Sequence, residues 1–370
     1  MLIYLITFIY CLFFHYVAYR VKNKVAKYCL VFIPLMGMAL LAGLRDYGVG
    51  TDTLFYSKAY FDDARHAHDF GDLLNNHNIH ISNKGYLFLN YFGTLIMSHI
   101  FIEWFLTELL ILVCTYWAVM RMSRHYAINL AIFSLLYLFA FYNMSLNLMR
   151  QLCAMSICLL SYSYLIEKKK VIAFLLVVLA MTFHTSSALF LLVFVYDYLS
   201  DTKHKKLVFA TIFGAMSISI FLYYQLLMLL GQFGLFTKIY MERYGVNSQY
   251  EGLRVPYAFV AVAIVIYIGI WLSYKKKILT ESENYFLLLV HTTFQILMLL
   301  NFLVNTLIRL SLYFYILDIV LMAMLLTSKK MHIGYKLLLP IVIIFMWLYS
   351  YMYLNGNATY PYKSQILGIY

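Results

Sequence analysis

The sequence predicts an all-α polytopic membrane protein of about 12 transmembrane helices, with re-entrant or short helices among them. Three observations carry that expectation. Hydrophobic residues make up 64% of the chain and charged residues 12%, roughly half the charged fraction of a soluble protein. Apolar runs near the 20 residues of a bilayer crossing recur from end to end. Lys and Arg gather in short clusters between those runs, which is how membrane chains fix their orientation. The chain 1–370 reads as a single integral membrane domain, with extracytoplasmic loops near 45–85 and 231–255.

Helices are expected near 1–19, 28–44, 104–120, 126–143, 148–166, 207–230, 256–274, 285–303, 309–327 and 336–353. The stretches 86–102, 171–183 and 185–199 are ambiguous by length. Met1 to Tyr19 lacks the basic start and small-residue cleavage site of a signal peptide. The clusters at Arg20–Lys27, Arg121–Arg124, Lys168–Lys170, Lys203–Lys206, Lys275–Lys277 and Lys329–Lys336 are all read as cytoplasmic. They agree on one topology if 86–120 crosses once, with 86–102 re-entrant or along the surface. Both termini then lie outside. The net charge of +12 sits in these clusters and is no nucleic-acid signature. Cys11, Cys29, Cys114, Cys153 and Cys158 all fall inside spans, as small packing residues with no disulfide or metal spacing.

This topology separates two kinds of cation. The cytoplasmic clusters are mostly Lys, with Arg20, Arg121 and Arg124 as their arginines. On the other side Arg45, Arg65, Arg150, Arg243, Arg254 and Arg309 outnumber the lysines. Lys suffices for orientation, whereas Arg offers a planar fork that grips phosphate oxygens in pairs. The outer face therefore reads as built to hold a polyanion at the membrane. Snorkelling to outer headgroups is the plainer reading, strongest for Arg65 and Arg243.

The most informative run is 42–56. It places Arg45, Asp46, Gly48, Gly50, Thr51, Asp52 and Tyr56 just where a long apolar helix ends, and charged groups there are functional candidates. In the loop that follows, His66, His68, His77 and His80 are enough for a metal, but the composition suits a solvated loop better. Loop 231–255 carries Glu242, Arg243, Tyr244, Glu251 and Arg254 before Pro256. Sugar-facing or gating roles fit both loops.

A short hairpin is expected around His184. Two full spans need about 40 residues, and Lys170 to Asp201 offers about 30. The tip from Phe183 to Ser187 should then lie below the outer surface, where non-helical backbone must be buried or line a cavity. Thr185 to Ser187 would cap the second arm and turn its free N–H groups toward that cavity. An imidazole there suits a base, an acid or a phosphate donor. A packing role is the alternative.

Other chemistries lack their signals. There is no P-loop, no G-x-G-x-x-G, no zinc motif and no Asp-x-Asp; Asp62-Asp63 in a loop is a poor substitute. No nucleophile elbow marks a serine hydrolase. Glu103, Glu108 and Asp318 are acids within spans and leave proton coupling open.

The ordered set Leu44, Arg45, Gly50, Thr51, Asp52, Tyr56; then Arg150, Gln151, Ala154; Phe183, His184, Ser186; Arg309, Tyr313; and Pro361, Tyr362 resembles the EpsG-like family of bacterial polysaccharide polymerases, which includes many Wzy O-antigen polymerases. The resemblance implies a multispanning lipid-linked glycosyltransferase. Such proteins move a growing glycan from undecaprenyl diphosphate to the non-reducing end of a new lipid-linked repeat, outside the bacterial inner membrane. Donor and acceptor are both lipid-linked oligosaccharides. No cofactor or metal is expected, nucleic acid is excluded as partner, and a chain-length regulator is left open.

For that reaction Arg150 and Arg309 are assigned to the diphosphate, because they open spans at its depth, with Arg254 beside them. His184 and Asp52 contend as base, His184 being preferred, and Arg45 is a further catalytic cation. Tyr56, Gln151 and Tyr313 are sugar-binding candidates. An O-antigen ligase shares the chemistry and differs in acceptor. A flippase or transporter would spread its charges along a path through both leaflets.

Overall fold

In this computed structural model every regular element among the described residues is helical. The structure describes residues 1–75, 83–201, 257–299 and 307–370, with positions 210, 214 and 301. Most of the expected span 207–230, the loop 231–255 with Arg243 and Arg254, and His77 and His80 lie outside them. The chain divides into two compact units, Met1–Leu191 with Ile319–Tyr370, and Leu192–Asp318.

The first unit opens with α1 (Leu2–Arg20) and α2 (Lys24–Gly43), which pack together. Asn23 caps α2 by accepting from the Ala26 N–H at 3.0 Å. On α1, Tyr4, Phe8, Cys11, His15 and Ala18 are buried, while Leu2, Ile6, Ile9 and Phe13 are exposed. Both stripes repeat every three or four residues. Apolar residues on the exposed stripe as well suit a helix whose outer solvent is lipid. His15 is fully buried. Its Nδ1 lies 2.6 Å from Ser134 Oγ and its Nε2 3.1 Å from the Val31 carbonyl, so its polar atoms are satisfied by packing.

A π-helical turn, Thr53–Ser57, leads into α3 (Lys58–His66), followed by α4 (Phe70–Asn75), α5 (Lys84–Ile96) and α6 (Phe101–Met122). α5 has 13 residues and rises about 20 Å, less than a bilayer core of roughly 30 Å. α7 (Leu130–Tyr137) continues through a π-helical turn, Leu138–Tyr142, into Asn143–Ser145. α8 (Met149–Ile166) is buried along almost its whole length and packs on α6 and on α9 (Lys170–Phe183). These three helices form the core that carries the site.

His184 is extended and ends α9. The next segment differs from the expected capped α-helix. It is a 3₁₀ helix, Thr185–Leu191, opened by the Ser187 N–H on the His184 carbonyl at 3.0 Å. Three successive hydroxyl residues compete for local backbone groups, which favours the tighter turn. The unit closes with α14 (Ile333–Trp347), the π-helical turn Leu348–Tyr353, the 3₁₀ turn Gly356–Ala358 and an irregular tail.

The second unit holds α10 (Leu192–Ser200), α11 (Tyr257–Lys275), α12 (Glu281–Leu299) and the first part of α13 (Leu307–Thr327). Its interior is joined by Tyr196 Oη with Thr293 Oγ1 at 2.7 Å, and by His291 Nδ1 with Asp318 Oδ2 at 2.8 Å. This pairing accounts for one of the acids expected inside spans.

Among the described residues, seven helices are long and apolar enough to cross a membrane: Leu2–Arg20, Lys24–Gly43, Phe101–Met122, Met149–Ile166, Ala258–Lys275, Leu307–Thr327 and Ile333–Tyr353. Leu130–Ser145, Lys170–Phe183 and Thr185–Ser200 are apolar but shorter. The all-helical membrane class stands. The expected count of about 12 is not reached among these residues.

Candidate active site

The 44–52 loop is shaped by two segments far away in the chain. At its start, a Cβ on Gly43 would lie 2.7 Å from the Phe101 ring, so α2 closes on α6 only with glycine there. Asn147, in the break between α7 and α8, accepts from Thr51 Oγ1 at 3.1 Å and from the Asp52 N–H at 2.9 Å. Its amide donates to Asn357 Oδ1 at 3.0 Å. Gly50 has φ +97° and donates its N–H to the Ala358 carbonyl at 2.8 Å. The tail continues the clamp. Tyr362 Oη donates to the Leu41 carbonyl at 2.8 Å, and the Asp46 N–H donates to the Lys363 carbonyl at 2.9 Å. Asp52 is thereby held, half-buried, at the entrance of the π-helical turn that carries Tyr56.

Arg45 points inward and is 4% exposed. Its guanidinium lies 4.8 Å from the centre of the Trp104 ring, and Nη2 is 3.2 Å from Met149 Sδ. Glu103 and Glu108 supply the compensating charge. Burial pulls the Arg45 guanidinium below its usual value and the two carboxylates pull it back; a guanidinium starts so high that it stays charged. Glu103 accepts from Ser57 Oγ at 2.6 Å and from Tyr86 Oη, while Trp104 Nε1 donates to the same Ser57 oxygen at 2.7 Å. Glu108 accepts from Ser145 Oγ at 2.9 Å. The charges of the first motif are thus knotted into α5, α6 and the α7 break.

Arg150 opens α8 at the edge of this knot and is half-buried. Its guanidinium lies 5.0 Å from the Tyr56 ring centre and 5.5 Å from that of Tyr60. Nη1 donates to Tyr60 Oη at 3.3 Å. Asn83 completes the setting, in the amide orientation that satisfies both its neighbours. Its oxygen accepts from Arg150 Nη1 at 2.9 Å, and its nitrogen donates to the Phe183 carbonyl at 3.1 Å. Phe183 precedes His184, whose Nδ1 is 2.5 Å from Ser186 Oγ. Gly85 secures this junction: a Cβ there would collide with Thr182 Oγ1 and lie 3.0 Å from the Phe183 ring.

The first unit therefore joins Arg150 to Tyr56 directly and, through Asn83, to the carbonyl of Phe183 beside His184, while Asp52 opens the turn that carries Tyr56. Gln151 is 3% exposed and faces inward along α8. Arg309 and Tyr313 belong to the second unit. Arg309 is exposed near the start of α13, and Tyr313 is fully buried. Arg254 lies outside the described residues. Sequence reasoning missed Asn83, Tyr60, Tyr86, Ser57 and Asn147, because polar residues near loops carry no signal of their own. Glu103 was visible as an acid inside a span, but its partners were not. Among the described residues no group of His, Cys, Asp and Glu is arranged to hold a metal.

A family model described as the EpsG family matches residues 27–364. Comparison with curated proteins and with solved structures gave no match.

Proposed function

The chain belongs to the EpsG family, and on that premise we propose that it is a polysaccharide polymerase of the inner membrane. It transfers a growing glycan from undecaprenyl diphosphate to the non-reducing end of another lipid-linked repeat, with the site facing the periplasm. About 12 spans make up this multispanning glycosyltransferase. The observation that carries the reading is the Asn83 bridge. One amide holds the Arg150 guanidinium and, at its other end, the carbonyl of the residue before His184. One side chain thus touches both the cation we assign to the leaving phosphate and the backbone next to the imidazole we assign to the acceptor hydroxyl.

In the proposed step the bond between the anomeric carbon and the diphosphate oxygen breaks. The acceptor oxygen bonds to that carbon and loses its proton. Negative charge grows on the leaving diphosphate, where fixed cations contribute most. Arg150 takes this role from its cradle of Tyr56, Tyr60 and Asn83, and Arg309 is a further candidate for the diphosphate. Arg254 is a third. His184 is the base: with its Nδ1 proton held on Ser186 Oγ, Nε2 takes the proton from the acceptor. Asp52 is the alternative base and otherwise orients the sugar. Tyr56, 37% exposed, offers a ring face for stacking.

Three further candidates are buried: Arg45, Gln151 and Tyr313. Arg45 acts as a positioning residue that ties the Gly-Thr-Asp loop to Glu103 and Glu108. Gln151 and Tyr313, each buried on its own helix, stay candidates for sugar binding.

The test compares Arg150→Lys and His184→Gln with the parent at matched membrane levels, reading glycan ladders. Arg150→Lys should lose most polymer, since a point charge replaces a bidentate fork. His184→Gln should lower turnover by roughly 10²–10⁴-fold while lipid-linked repeat still binds. Normal ladders from both variants would defeat the proposal. Deletion of the gene should leave single repeats on the acceptor; complete absence of repeats would favour a flippase or ligase.

A further inference from the structure

Two separate segments hold the Arg150 guanidinium. One carries Tyr56 and Tyr60, in the π-helical turn and α3; the other begins at Asn83, just before α5. Both segments are anchored on one side chain whose own hydrogen bonds go elsewhere. Glu103 is fully buried on α6. Its Oε2 accepts from Ser57 Oγ, the neighbour of Tyr56, at 2.6 Å. Its Oε1 accepts from Tyr86 Oη, in the first turn of α5. Thr107 Oγ1, on the same helix, adds a longer bond at 3.3 Å. The Ser57 oxygen already accepts from Trp104 Nε1 at 2.7 Å, so its proton is committed to the carboxylate. Three hydroxyls thus donate to Glu103, the arrangement that suits an ionised carboxylate, which only accepts.

Each contact of the Arg150 guanidinium lies one step from a group that Glu103 holds. Tyr86 donates its N–H to the Asn83 carbonyl at 3.1 Å, so anchoring Tyr86 fixes the turn that aims the Asn83 amide. The Tyr86 ring also meets the Tyr60 ring edge-on, with centres 6.0 Å apart, and Tyr60 Oη accepts from Arg150 Nη1. Ser57 fixes the backbone beside Tyr56, whose ring lies 5.0 Å from the guanidinium. Packing alone has no use for a charge here, since an apolar side chain of similar volume would avoid the desolvation cost. A carboxylate instead gives strong bonds of defined direction to two elements at once.

We propose that Glu103 is a positioning residue for glycan transfer. It holds the Tyr56–Ser57 turn and the start of α5 in register, so that the Arg150 fork meets the leaving diphosphate. The inference rests on the polymerase reading and adds to it a residue that acts through Arg150 without touching substrate. A misplacement of about 1 Å can cost roughly 10²-fold in rate. Because charge on the diphosphate grows only as the bond breaks, the loss falls on kcat and spares KM.

Initial rates of the purified full chain on a synthetic undecaprenyl-diphosphate-linked repeat test it, with Glu103→Gln and Tyr86→Phe made alone and in an Arg150→Lys background. Glu103→Gln should lower kcat by about 10²-fold with little change in KM. Tyr86→Phe, which keeps its ring against Tyr60, should lower kcat roughly tenfold and decides the matter if Glu103→Gln fails to fold. Thr107→Val loses only the longer bond and should stay within about twofold of the parent. In the Arg150→Lys background both changes should cost less than about twofold more, because the fork they position is already gone. A purely structural role would add its full loss in either background. Parent turnover in Glu103→Gln and Tyr86→Phe, or losses that add in full to that of Arg150→Lys, would overturn the assignment and leave the polymerase reading standing. A parent that joins no repeats, or an Arg150→Lys variant at the parent rate, would overturn both.

Discussion

Gly50 shows how much one residue of the motif constrains. Its φ of +97° suits glycine, and a Cβ there would stand 2.8 Å from the Leu146 carbonyl. Gly50→Ala should therefore cost about 1–3 kcal/mol in backbone strain alone and reduce polymer sharply. Gly48 has open space around its Cβ position, so Gly48→Ala should leave glycan ladders at parent length. Equal ladders from the two variants would remove the loop from the mechanism. Arg45, Arg150, Asp52 and His184 were visible in the sequence, because ionisable groups are conspicuous against apolar spans. Their division of labour was not. Nothing in the sequence places Arg45 over Trp104 with Met149 at its end, or Arg150 out between two tyrosines. Side-chain direction depends on how α6 and α8 pack, which periodicity does not encode.

Among the elements, the tail and the α9 hairpin are the most instructive. The tail was legible only as a Pro-Tyr pair. Its work as a clamp on the 44–52 loop arises from the carbonyls of Ala358 and Lys363 together with the side chains of Asn357 and Tyr362, pairings across more than 200 residues that local pattern does not reveal. Removing residues 355–370 should leave the protein in the membrane and abolish polymer; full activity of the truncated chain would show that the clamp is dispensable. The hairpin was legible from length alone, since α9 has 14 residues and rises about 21 Å. At its other end Glu167 joins α6 to α8, with Arg121 Nη2 2.5 Å and Lys169 Nζ 2.8 Å from its carboxylate. The hydrogen bond from Lys169 and the charge of Arg121 hold this carboxyl below the usual range. The stabilisation is then full above the ordinary carboxylate value near pH 4.3 and fades as pH falls through the lowered one. Glu167→Gln should lower thermal stability in detergent at pH 7, by roughly 1–3 kcal/mol. The deficit should shrink in strongly acidic buffer, and a deficit that persists there would mean packing, not charge.

At the scale of the molecule, composition settles the membrane class, and the Lys clusters propose which way the chain faces. A cysteine introduced near Asp69 should react with an impermeant thiol reagent added to the periplasmic side, and one beside Lys169 should not. The reverse pattern would dissolve the grouping of the arginines. The number of spans was harder to read than their existence. Helices such as α5 and α9 are apolar yet too short to cross alone, and hydropathy does not distinguish a re-entrant arm from a tilted span. The central claim is that the Arg150–Asn83–Phe183–His184 arrangement joins glycans. It is tested most directly by incubating the purified protein with one synthetic undecaprenyl-diphosphate-linked repeat and sizing the product. The parent should yield a ladder of lengths, and Asn83→Leu, which breaks the bridge without touching a charge, should yield little beyond the starting repeat. No ladder from the parent, or an undiminished ladder from Asn83→Leu, would contradict it.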